Sequence, residues 1–217
     1  MIFADVLLTL KSPKGNEIML LSRQPDDFEK TILVIGVMHG DEPDGEYLIN
    51  RYLSEKYDKN SLKNRLLFVP CLNPDGKAQN VRTNSNGVDL NRNFPASNWA
   101  LGERDNFFGG EKPASEMETQ FLIYVIDRYK PDLILTLHEP YRVVNYDGPA
   151  EEFAKKISEI TGYKIEENIG YPTPGSFGTY CGIEKNIPVI TLELPEKQPK
   201  DKLWAENKGI FDFLTFL

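Results

Sequence analysis

At 217 residues the chain has the length of one domain with a substantial core, and its 40% apolar and 27% charged content excludes disordered and fibrous classes. The 25 basic and 33 acidic residues leave a net charge of −8, which argues against a nucleic-acid backbone as partner. No run approaches the length of a membrane span, and Cys71 and Cys181 are too few for a disulfide framework, so a reduced, cytoplasmic protein is expected.

In chain order, residues 2–10 carry Asp5 inside an apolar stretch with no basic region ahead of it, and read as a strand, not a signal peptide. Residues 17–23 form its partner across a turn at Ser12-Pro13-Lys14-Gly15. Residues 31–37 are apolar throughout, the pattern of a central strand. A helix is expected over 42–56, with Tyr47, Leu48, Tyr52 and Leu53 as its apolar face and acids in its first turn. Residues 65–71 predict the next strand, stopped by Asn73-Pro74-Asp75-Gly76. Residues 73–113 show little periodicity, and so long a stretch within a compact domain implies a functional loop. Helix returns over 115–129, with Ser115 and Glu118 expected as a capping box. A strand ending at His138 follows, then a short strand over 142–146, a helix over 149–160 and an irregular stretch to about 176. A buried strand over 187–194 and an amphipathic helix over 201–217 complete the pattern. Strands alternating with helices predict an α/β fold: one domain over 1–217, its mixed, mostly parallel sheet covered by helices on both faces.

The two histidines each close an apolar run, His39 after Val34-Ile35-Gly36-Val37-Met38 and His138 after Leu133-Ile134-Leu135-Thr136-Leu137. Each is expected as the last residue of a buried strand, where an open α/β sheet places its ligands. Glu42 follows His39 by three residues, so the pair can bind one metal, and His138 could complete the set. Two histidines and one glutamate make a catalytic zinc set, with the fourth position left for water. Glu46 lies one helical turn past Glu42, but the His-x-x-Glu spacing favours Glu42. Cys71, at a strand end near these residues, reads as a packing residue, since nothing beside it would lower its pKa.

Around the ligand candidates stand Asn73-Pro74-Asp75-Gly76, Arg82, the run Gly87-Val88-Asp89-Leu90-Asn91-Arg92-Asn93-Phe94, and Glu193 at the end of Pro188-Val189-Ile190-Thr191-Leu192. In this order the set strongly resembles the zinc metallocarboxypeptidase family over roughly residues 30–196. The stretch Tyr171-Pro172-Thr173-Pro174-Gly175-Ser176-Phe177-Gly178-Thr179-Tyr180 and the segment Val143-Val144-Asn145-Tyr146-Asp147-Gly148-Pro149 look like its murein peptide amidase branch. Members of that branch hydrolyse the bond between the γ-carboxyl of D-glutamate and diaminopimelate in cell-wall peptides. The resemblance implies one zinc per chain on His39, Glu42 and His138, with Glu193 as general base and Arg82 polarising the scissile carbonyl. It implies that Asn91 and Arg92 hold the terminal carboxylate of a small peptide substrate, for which a planar guanidinium is suited. It also implies that Tyr171, 22 residues before Glu193, caps the substrate, with Tyr180 as the alternative. The family's specificity position falls near Gly178, which has no side chain, so other residues must set the preference; Glu139 and Asp147 are candidates to pair with a distal amine. Two other readings share parts of the pattern. A broader zinc carboxypeptidase, or an N-acyl amino acid deacylase of the aspartoacylase and succinylglutamate desuccinylase type, has the same metal motif and Asn-Arg pair. A catalytically dead peptide-binding module would keep the fold, but the presence of Arg82 and Glu193 beside all three ligands speaks against it.

Overall fold

A strand buried on both faces needs an unbroken apolar run, and two segments supply one: β3 (Thr31–Gly36) and β5 (Leu133–His138), buried at every residue. Around them lie β1 (Asp5–Lys11), β2 (Glu17–Arg23), β4 (Arg65–Val69), β6 (Tyr141–Asp147), β7 (Lys164–Ile165) and β8 (Val189–Pro195). A computed structural model describes residues 2–166 and 172–217, and among these the strands form one eight-stranded sheet in the order β1-β2-β4-β3-β5-β8-β6-β7. The central pairs β4–β3, β3–β5 and β5–β8 are parallel, as is β6–β7, while β1–β2, β2–β4 and β6–β8 are antiparallel. The predicted α/β architecture is the one found.

Side-chain alternation splits the core in two. Ile32 and Val34 join one layer with Leu48 of α1 (Asp44–Leu53), Ile157 of α4 (Glu151–Thr161) and Phe211 of α5 (Lys200–Phe216). Leu33 and Ile35 face the other, with Leu122 and Val125 of α3 (Met117–Tyr129) and the aromatic rings of Phe94, Phe177 and Tyr180. Phe94 is fully buried, with its ring centroid 5.0 Å from that of Phe177 and 5.8 Å from that of Tyr180. Removing a phenylalanine from such a site typically costs about 3–5 kcal/mol, so the long loop is built into the core through this residue. No helix among the described residues is long and apolar enough to cross a membrane.

Several local expectations change. The loop over 73–113 contains α2 (Pro74–Gln79), in which Pro74 sits in the first turn and the Asn73 side chain accepts from Gly76 N at 2.9 Å. It also contains a 3₁₀ turn at Leu90–Arg92, capped by Asp89. The helix expected from residue 42 begins at Asp44 with Pro43 at its N-cap, which leaves Glu42 outside it. The Ser115–Glu118 capping box does not form. The Ser115 hydroxyl donates to Glu116 at 2.6 Å and accepts from Asn93 at 2.9 Å, so it has no part in capping α3. Strand β7 and a π-helical segment over Gly178–Glu184 are too short to show a hydrophobic period.

Candidate metal centre and active site

His138 ends β5 as expected, but His39 does not end β3, which stops at Gly36. Val37 takes a left-handed φ of 49°, and its carbonyl accepts from Asn73 N at 2.9 Å, so the chain leaves the sheet before reaching His39. The turn then presses onto α2: a Cβ on Gly40 would lie 2.1 Å from the carbonyl carbon of Gly76. Only glycine permits that approach, and the turn is closed by Glu42 N donating to the His39 carbonyl at 3.2 Å.

Glu42 bridges the two histidines, with Oε1 2.8 Å from His39 Nδ1 and Oε2 2.8 Å from His138 Nδ1. The two Nδ1 atoms are themselves 3.3 Å apart, and one ligand atom from each of the three residues falls within a 4.8 Å group. Donors on a tetrahedral zinc with Zn–N bonds near 2.0–2.1 Å stand roughly 3.3 Å apart, so the donor set and its spacing fit this ion. Two ring nitrogens facing one another beside a carboxylate in a buried site call for a cation between them. Burial opposes a charge on His39, but Glu42 and Asp89 outweigh it and raise its pKa to about 9. For His138 burial prevails and the pKa falls. Burial disfavours charge on Glu42 as well, yet the two histidines hold its carboxyl far below the usual range.

Asp89, which has no role in the sequence pattern, gains one from the structure. Its fully buried carboxylate lies 3.1 Å from His39 Nε2, the ring nitrogen turned away from the ligand cluster. It also accepts from Arg82 at 2.9 Å and from Asn91 N at 2.8 Å. One acid thereby orients a ligand, an arginine and the turn that carries Asn91 and Arg92. The available signal was an acid between two apolar residues, Val88 and Leu90, which the structure buries. Glu46 is not a ligand, since it pairs with Lys77. Burial and then Glu46 push the Cys71 thiol up to about 12, which agrees with a packing role.

His39, Glu42, Arg82, Asn91, Arg92, His138 and Glu193 all line one cleft of about 900 Å³. Glu193 stands beside His138 in the β5–β8 register, and its buried Oε2 has no hydrogen-bond partner among the described residues. Burial, then Glu42, push its carboxyl up to about 8. Arg82 Nη1 is 3.5 Å from Glu42, and the Arg82 and Arg92 guanidinium groups lie 5.1 and 6.0 Å from the Phe107 ring centroid. Asn91 accepts from Phe177 N through its side-chain oxygen at 2.9 Å. Tyr180 belongs to the core against Phe94 and does not line the cleft. Tyr171 lies outside the described residues.

Comparison with known proteins agrees with this geometry. The zinc carboxypeptidase family profile matches residues 7–156. Murein peptide amidase A of Escherichia coli strain K12 is 35% identical over 197 residues, covering 85% of this chain and 78% of that protein. Its counterpart from Vibrio campbellii is 32% identical over 198 residues, covering 85% and 77%. The crystal structure of a murein-tripeptide amidase from Escherichia coli O157 superposes with a TM-score of 0.82 at 28% identity, covering 100% of this chain and 91% of that one. Carboxypeptidase A from Helicoverpa armigera, at 16% identity and a TM-score of 0.78 over 98% of this chain and 67% of that one, shares the fold. A metal set, a buried carboxylate and paired arginines in one cleft meet here with a family match over most of the chain, and the protein belongs to the zinc carboxypeptidase family of metallopeptidases.

Proposed function

We propose that this chain is a murein peptide amidase, cleaving the amide between the γ-carboxyl of D-glutamate and diaminopimelate in cell-wall peptides. The observation that carries the reading is the cleft itself, which joins a His2Glu metal set to an unsatisfied buried carboxylate and two arginines. The 35% identity to murein peptide amidase A supports the choice of substrate.

Zinc held by His39, Glu42 and His138 would act as a Lewis acid and bring the pKa of water down to about 7. Glu193 is the proton carrier, taking a proton from the attacking water and returning it to the leaving amine. Its buried Oε2, without a partner among the described residues, is open to take the proton and return it. Arg82, braced by Asp89, donates N–H to the scissile carbonyl oxygen as negative charge develops there. Asn91 and Arg92 take the free carboxylate of the leaving residue, and the burial of Arg92 strengthens that contact. The reading puts the enzyme in the reducing cytoplasm, where wall tripeptides would be recycled, and the free state of both cysteines supports it.

The test is incubation with L-Ala-γ-D-Glu-meso-diaminopimelate and chromatography of the products. Free diaminopimelate is expected, with little action on peptides ending in large aromatic residues. The opposite preference would make this chain a general carboxypeptidase.

A further inference from the structure

Helix α1 has no side-chain cap from its own N-cap residue, because Pro43 stands there. The first N–H groups of a helix have no partner within it and need an acceptor from elsewhere. Glu139 supplies one from 95 positions away, its Oε1 accepting from Asp44 N at 2.9 Å. A negative group at this end of a helix is also favoured by the helix dipole. Glu139 was a candidate to meet a distal amine, but this oxygen is committed within the fold.

The same residue touches the metal set directly. Its backbone N–H donates to Glu42 Oε2 at 3.3 Å, the oxygen that faces His138 Nδ1 at 2.8 Å. The other oxygen of Glu42 meets His39 and Arg82. Glu139 therefore grips the turn Glu42-Pro43-Asp44 at both ends, through its main chain at the ligand and through its side chain at the helix start. Two glycines make that reach possible. A Cβ on Gly45 would lie 2.7 Å from Leu137 Cβ, and one on Gly36 would lie 3.0 Å from Glu46 N. The first turn of α1 thus rests directly on the ends of β3 and β5, where Glu139 follows His138. Asp44 is itself buried and pairs with Lys200 at the start of α5, so the helix end is held from a second element.

We propose that Glu139 is a positioning residue for the metal centre: it ties the turn that carries Glu42 to the end of β5 and so fixes that carboxylate relative to His138. Glu42 lies outside α1, and a ligand on an unbraced turn must be ordered as the ion binds, which weakens binding. The inference rests on the reading that His39, Glu42 and His138 hold zinc, and is independent of the substrate.

The test compares wild type, Glu139→Gln and Glu139→Ala. Zinc affinity is read by competition with a chelating dye, and the visible spectrum of each protein loaded with cobalt(II) reports the ligand geometry. Glutamine keeps an oxygen that can accept from Asp44 N, and alanine does not. Glu139→Ala should bind zinc about 10- to 100-fold more weakly, as when a ligand loses its outer partner, and its cobalt bands should change. Glu139→Gln should stay near wild type in both measurements. Ile157→Val, in the core and away from the cleft, controls for lost stability and should lower Tm while leaving zinc affinity unchanged. Wild-type affinity in Glu139→Ala overturns the assignment, as does an equal loss in Glu139→Gln or in Ile157→Val. A wild-type protein that binds no zinc removes the metal centre itself, and the positioning role with it.

Discussion

Glu193→Gln changes one atom and the ability to hold a proton, so it isolates the proposed role. The variant should keep one zinc per chain and lose about 10²–10⁴ in kcat, with KM little changed. Near-normal turnover would remove Glu193 from the reaction. Asp89→Ala acts one step further out, stripping His39 Nε2 and Arg82 of a shared buried acceptor. Zinc affinity, read by competition with a chelating dye, should fall by about 10- to 100-fold, as it does when a ligand histidine loses its outer partner. Wild-type affinity in that variant would confine Asp89 to a structural role. Arg92→Ala tests the carboxylate clamp: selectivity for free acids over C-terminal amides should disappear. A wild-type enzyme that already cleaves the amides equally well would contradict the clamp.

At the scale of elements, the start of α3 shows where local pattern misleads. Ser115 and Glu118 have the capping-box spacing, yet the first turn of α3 lies against the long loop, and tertiary partners claim both side chains. Asn93 and Glu116 take the hydroxyl, and the fully buried Glu118 lies 3.4 Å from the Asn84 amide. Burial, reinforced by Glu116 and Asp75, raises the Glu118 pKa from 4.5 to about 7. The folded state therefore binds this proton more tightly than the unfolded chain. The associated stability is present below pH 4.5 and is lost as pH rises towards and through 7. Glu118→Gln keeps the shape without the charge. The difference in Tm between variant and wild type should be small at pH 5 and should grow in favour of the variant by pH 8. A difference independent of pH would show that folding leaves the Glu118 pKa unshifted.

For the molecule as a whole, metal joins segments distant in sequence, since His39 and His138 are 99 positions apart. An ion bound only by the folded chain stabilises it by about 4 kcal/mol at a thousandfold excess over Kd. At roughly 2–4 °C per kcal/mol for this size, chelation should lower Tm by on the order of 10 °C, and added zinc should restore it. An unchanged Tm would mean that the site contributes nothing to folding. The architecture was legible in the chain because hydrophobic period is local: unbroken apolar runs mark β3 and β5, and alternation with helices marks the layered sheet. The ligand pair was legible for the same reason, since His39 and Glu42 meet across three residues. Other features depended on the order of strands. Register puts Glu193 beside His138, packing carries Asp89 to a histidine 50 positions away, and two glycines set a helical segment over Asp147. Spacing along a chain records only the contacts that the backbone makes with itself within a turn or two. Contacts between distant segments follow from how the layers bury their faces, and in this protein those contacts bring three ligands and a proton carrier into one cleft.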